Sequence, residues 1–201
     1  MNRKPKFSLL EWILLGLILL ASVVGILLVT GDPVYWWSEN RPGSSYRDFD
    51  DLILAVADKH KVDLALVKAV IWQESRFDSR ATGRAGERGL MQVTEIAARD
   101  WVAANQVETF VPTDLFDPKT NLEVGVWYLS RALNRFADRD APIPFALAEY
   151  NAGLSRAQRW LGAEEEEKMG ASEFLEQIDF PMTFNYIDNI IARHAFYQRR
   201  G

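Results

Sequence analysis

The chain has no cysteine among its 201 residues, which excludes a disulfide framework, a thiolate zinc site and a cysteine nucleophile. Histidine is almost as scarce. His60 and His194 are far apart with no partner at ligand spacing, so the sequence implies no metal and no other cofactor. A basic excess is also missing: the formal net charge is −5, and it becomes −7 once residues 1–31 are set aside, which argues against nucleic acid as a partner. Convincing runs of alternating apolar and polar residues are lacking as well. The expectation is a mainly α fold, with room for a small hairpin between Thr82 and Val93.

What is present begins with a basic tail, residues 1–8, carrying Arg3, Lys4 and Lys6. Within the next segment, 9–30, the run from Trp12 to Thr30 is uncharged and long enough to cross about 30 Å of hydrocarbon as one helix. The basic start predicts an N-terminus in the cytoplasm, a single-pass anchor and the remainder outside the cytoplasm. A cleaved signal peptide is the competing reading, and the lack of cysteine excludes a lipoprotein anchor. Residues 31–47 have linker composition, and Tyr35, Trp36 and Trp37 suit a membrane interface. The domain proper, 48–201, is large enough to bury a full core. Helical spacing predicts segments from about Asp48 to Lys61, from Asp63 as N-cap through Glu74, from Thr94 to Ala104, and from Asn121 to Asp138. It also predicts a short helix Ala146–Tyr150 and a last helix Met182–Arg199 presenting Phe184, Ile187, Ile191 and Ala195 to the core. The four glutamates 164–167 read as a solvated face rather than a metal site.

One residue interrupts this pattern. From Leu64 to Trp72 only Lys68 is charged, and Glu74 follows on the face of Val67, Val70 and Ile71. A carboxylate there is costly unless it is used, and burial raises its pKa toward the range of a general acid working near neutral pH. Structural ion pairs with Arg76 or Arg80 are the ordinary alternative. Beyond it, Gly83, Gly86 and Gly89 mark a loop that can bring backbone and an amide side chain close to a ligand.

Glu74-Ser75-Arg76-Phe77, then Ala81, Gly86 and Gly89-Leu90-Met91-Gln92, resemble the catalytic signature of soluble-type lytic transglycosylases, relatives of goose-type lysozyme. Three later blocks agree in order. They are Leu115 to Leu129 with Asp117, Pro118, Asn121, Gly125 and Tyr128; Ala146 to Gly153 with Tyr150-Asn151-Ala152-Gly153; and Pro181, Thr183, Tyr186 and Ile187. The resemblance implies a lysozyme-like fold, with Glu74 as the single acid/base cleaving between N-acetylmuramic acid and N-acetylglucosamine in peptidoglycan strands to leave a 1,6-anhydro sugar. Ser75, Met91, Gln92, Tyr150, Asn151 and Tyr186 are its implied substrate-binding or supporting residues. Four departures stand out: Gly83 for a serine, Glu87 for an alanine, Glu95 near the place of a proline, and Met182 for a glutamate.

Cleavage of a glycoside usually takes two carboxylates. Asp78, Glu87, Glu95 and Glu149 are the local candidates, and none shares the apolar setting of Glu74; Glu149 is expected to face water. A hydrolytic muramidase using a second carboxylate such as Asp78 or Glu87, and a non-catalytic glycan-binding scaffold on a membrane anchor, are the alternative functions. Protein partners cannot be read from the sequence.

Overall fold

The computed structural model describes residues 8–30, 46–162 and 169–199. The basic tail, Tyr35, Trp36 and Trp37, and the glutamates 164–167 lie outside the described residues. Two units are distinct, residues 1–44 and 45–201. The first holds α1, Leu9–Thr30, whose large apolar side chains, among them Leu9, Trp12, Ile18 and Leu19, are exposed. Its described side chains end at Gly25, and among the described residues no helix is long and apolar enough to cross a membrane.

The second unit is a helical domain of α2 (Asp50–His60), α3 (Leu64–Ser75), α4 (Glu95–Asn105), a 3-10 turn (Pro112–Phe116), α5 (Pro118–Arg135), α6 (Pro142–Ala152), α7 (Leu154–Leu161), α8 (Ala171–Glu176) and α9 (Pro181–Gln198). Its packing starts before the expected boundary: Tyr46 sets its ring 4.6 Å from that of Phe77. No strand forms among the described residues. The expected hairpin is reduced to two antiparallel bridges, Thr82 with Arg88 and Arg88 with Val93.

The helix ends follow capping chemistry. Asp63 caps α3 by accepting from Ala65 N, Thr94 caps α4 by accepting from Ala97 N, and Asp117 caps α5 by accepting from Thr120 N. Asp117 with Pro118 at the first helical position starts α5 three residues ahead of the predicted Asn121. The helix around Ala146 is also longer than predicted, because Pro142 opens it and Gly153 closes it. Helix α7 escapes prediction although Ala157, Trp160 and Leu161 form a buried stripe, since two glycines confine it to eight residues.

α3 is the central helix, with Val67, Ala69, Val70 and Ile71 fully buried, and α9 packs antiparallel on it. Here the predicted face needs correction. Phe184 is 41% exposed and Ile191 and Ala195 are only half-buried, while Thr183, Tyr186, Ile187, Ile190, Arg193, His194 and Tyr197 face inward. α9 carries apolar residues on both sides of its polar stripe of Asn185, Asp188 and Asn189, so more than one apolar stripe fits the spacing. Contacts with α3 decide between them: the Arg193 guanidinium lies 3.7 Å from the Trp72 ring, and His194 Nε2 is 2.9 Å from Asp63 Oδ2. His60 likewise meets Glu123, at 3.0 Å.

One buried amide ties the loop between α3 and α4 to α5 and the 3-10 turn. Asn121, fully enclosed on α5, accepts from Met91 N at 2.8 Å and donates to Arg88 O at 2.7 Å and Leu115 O at 2.8 Å. Gly89 passes so close that a Cβ would overlap Leu115 O and Asn121 Nδ2, and its φ of 75° suits glycine. Asn121→Ala orphans all three backbone groups and is expected to cost about 2–4 kcal/mol, read as a lower urea midpoint at unchanged m-value.

Candidate active site

Glu74 sits in the last turn of α3, which stops because Arg76 and Phe77 both take positive φ, 55° and 65°. That conformation is costly for a bulky residue, and burial of the Phe77 ring offsets it. The Arg76 guanidinium stacks 3.3 Å from the Trp72 ring and donates to Trp72 O.

Tyr186 Oη, from α9, donates to Glu74 Oε1 at 2.6 Å. Burial pushes Glu74 from the usual 4.5 up to about 7; the tyrosine bond opposes this, and the negative charge of Glu87 adds to it. Tyr186 is itself raised well above the tyrosine range by burial and by the charge of Glu74, so it stays a donor at neutral pH. Because Oε1 already accepts a hydrogen bond, the acid proton of Glu74 belongs on Oε2.

A cavity of about 470 Å³ is lined by residues that include Gln92, Gly125, Tyr128, Tyr150 and Asn151; Glu74 and Tyr186 do not line it, and Tyr150 is the wall residue that feels the charge of Glu74. Tyr150 Oη donates to Met91 O at 3.0 Å, and burial followed by the charge of Glu74 raises its pKa well above the usual range. Gln92 has a left-handed backbone, φ 46°, and its Nε2 donates to Gly89 O at 2.9 Å and Ala81 O at 3.2 Å, bracing the loop from within. Asn151 Oδ1 accepts from Thr183 Oγ1 at 2.8 Å, tying the end of α6 to the start of α9. Tyr150 thus links a titratable carboxyl electrostatically to a mainly apolar cleft that carries a few polar groups.

Residues 51–171 match the family described as the transglycosylase SLT domain. The chain belongs to that family. The membrane-bound lytic murein transglycosylase F of Desulfosudis oleivorans is 41% identical over 113 residues, covering 55% of this chain and 23% of the relative. The soluble lytic murein transglycosylase of Escherichia coli is 29% identical over 151 residues, 75% of this chain and 23% of its own length. The crystal structure of the 70 kDa soluble lytic transglycosylase from Escherichia coli superposes with TM-score 0.68 at 29% identity, over 75% of this chain and 24% of that one. A complex of the 70 kDa soluble lytic transglycosylase with bulgecin A gives 0.69, at 29% identity and 76% and 24% coverage. The chain thus spans about a quarter of the length of these relatives.

In this SLT domain the seven sequence-predicted residues divide by what they touch. Glu74 and Tyr186 bond directly, and Gln92, Tyr150 and Asn151 share the cavity. Met91 is fully buried and seats its side chain against Gly125, where a Cβ would collide with its sulfur; its carbonyl meets Tyr150. Ser75 Oγ donates to Leu90 O at 2.7 Å and to Ile71 O at 3.2 Å, fastening α3 to the loop rather than reaching the acid.

Glu149 does not face water. It is 5% exposed, with Oε2 3.0 Å from Arg135 Nε, because the guanidinium at the end of α5 neutralises it. Among the other candidates for a second carboxylate, Asp78 accepts from Arg80 N, Glu95 pairs with Arg99, and Glu87 accepts from Ala85 N while its charge reaches Glu74. Asn121, Gly125 and Tyr128 are the site-building residues that residue-level reasoning passed over. Their signal is an asparagine, a glycine and a tyrosine at helical spacing on one face of α5.

The raised pKa has a stability consequence. Between pH 4.5 and about 7 the folded domain holds a proton on Glu74 that the unfolded chain has released, so stability falls as pH rises through this window and levels off above it. Glu74→Gln removes the penalty. It is expected to stabilise the domain by about 1–3 kcal/mol at pH 8 and to lose that gain by pH 4, measured by denaturant unfolding at the two pH values.

Proposed function

We propose that this chain is a lytic transglycosylase that cleaves the β-1,4 bond between N-acetylmuramic acid and N-acetylglucosamine in peptidoglycan, with Glu74 as its one acid/base. The observation that carries the reading is Glu74 itself, held by Tyr186 and raised to about 7, so that both protonation states are populated near neutral pH. The neutral carboxyl gives its proton to the departing N-acetylglucosamine oxygen as the acetamido oxygen of the muramyl sugar closes on C1. The carboxylate so formed then takes the proton of the muramyl C6 hydroxyl, whose oxygen attacks C1 and reopens the acetamido ring. The products are a 1,6-anhydro sugar and a free N-acetylglucosamine hydroxyl; no water is consumed, and Glu74 regains its proton. Delivery from within the same sugar supplies the large effective concentration of an intramolecular nucleophile.

Tyr186 positions Glu74, and Gln92, Tyr150 and Asn151 offer donors and acceptors to hydroxyl and acetamido groups. The replacement of a family glutamate by Met182 does not disturb this support, since Met182 is 85% exposed and the Tyr186 bond is intact. Kinship to goose-type lysozyme belongs to the same reading. Glu87, whose charge reaches Glu74, is the group a hydrolytic mechanism would enlist. The two chemistries are separated by mass spectrometry of products from purified peptidoglycan. Anhydro-muropeptides from the wild type and none from Glu74→Gln are expected; reducing-end products would make the enzyme a hydrolase, and binding without product a scaffold.

The proposal includes a single-pass inner-membrane anchor with the domain in the periplasm. It rests on the uncharged run Trp12–Thr30, the basic residues before it, and the exposed apolar side chains of α1. The full chain is expected to stay with membranes through an alkaline carbonate wash and to leave them when residues 1–31 are deleted. Release of the full chain would rule the anchor out.

A further inference from the structure

The lining of the 470 Å³ cavity includes one basic side chain, Arg156, and one acidic side chain, Glu149. Glu149 is already neutralised by Arg135. Arg156 has no such partner among the described residues: its Nη1 donates to Ala152 O at 3.2 Å, and its guanidinium lies 5.3 Å from the centre of the Phe180 ring. The next arginine, Arg159, is 5.9 Å from the same ring but is paired with Asp179 at 3.0 Å. Arg156 is thus an exposed cation, steadied by a carbonyl and an aromatic ring, at the edge of a cleft whose other polar groups suit neutral sugar substituents. A guanidinium so placed keeps donors for a carboxylate, and its planar fork matches that group.

Resting on the glycan reading above, we propose that Arg156 is a specificity residue that recognises a carboxylate carried on the muramyl lactyl ether of the bound strand. Hydroxyls and acetamido groups are neutral, so the anionic group on such a strand is either the free lactyl acid of a peptide-free sugar or an acid of the peptide attached there. Both present the same chemistry to the guanidinium. The contribution belongs to binding, because Arg156 touches neither Glu74 nor Tyr186.

The test compares the full-length wild type, Arg156→Gln and Arg156→Glu on three substrates: intact peptidoglycan, the same material with its carboxyls converted to methylamides, and peptide-free strands that retain the lactyl acid. Initial rates of chain-end formation give kcat/KM. In parallel, the fraction of each protein sedimenting with the two insoluble substrates is measured in a Glu74→Gln background.

Wild type is expected to prefer intact over amidated material roughly fivefold, through KM rather than kcat, the upper range for an exposed charge pair. Arg156→Gln should bring that ratio close to one, and Arg156→Glu should invert it. If wild type also exceeds Arg156→Gln on peptide-free strands, the lactyl acid is the source; if the two are equal there, the peptide acid is. A preference for carboxylate-bearing material that persists in both variants overturns the proposal, as does a wild type that prefers neither intact over amidated material nor, relative to Arg156→Gln, the peptide-free strands. Reducing ends in place of anhydro ends would remove the lyase reading alone, leaving the Arg156 preference to be judged on the same ratios and on sedimentation.

Discussion

The site depends on a single enclosed amide. Asn121 spends both ends of its side chain on backbone, fixing the loop that carries Met91 and Gln92 against α5 and the 3-10 turn. In a stretch with no strand to satisfy its peptide groups, that amide stands in for a sheet. Gly89 and Gly125 are the steric counterparts of the same arrangement: one lets the loop backbone reach the amide, the other lets Met91 lie on the helix. Because each member satisfies another, the loop is fixed by a network in which losing one partner leaves several buried groups unpaired.

The acid is built on the opposite logic. Asn121 is stabilising because its partners are complete, whereas Glu74 is placed where its charged form is disfavoured and, among the described residues, receives one hydrogen bond, from Tyr186. A proton donor poised near neutrality follows from that deficit. Fold stability is lower for it, and the buried helix pair α3 and α9 supplies the apolar area that tolerates the loss.

Much of this was legible before any coordinates. Glu74 was visible because a lone carboxylate on an apolar stripe violates helical patterning, and Asp63 because an N-cap is local chemistry. The inward face of α9 was not legible. Its residues are apolar on several sides, and the choice among them is made by Trp72 and Asp63, more than a hundred positions away. Glu149 was misjudged for a related reason: its compensating charge, Arg135, comes from a different helix. Asn121 was legible as the start of a predicted helix and a member of a family block, but its structural task was not, since the groups it satisfies lie in other segments of the chain.

Helices α3 and α9 are pinned to each other at both ends, by Glu74 with Tyr186 at one and Asp63 with His194 and Gln198 at the other. Two antiparallel rods joined at two points can neither slide nor pivot independently. The spacing between acid and phenol is therefore set by helix register, like the gap of a locked caliper.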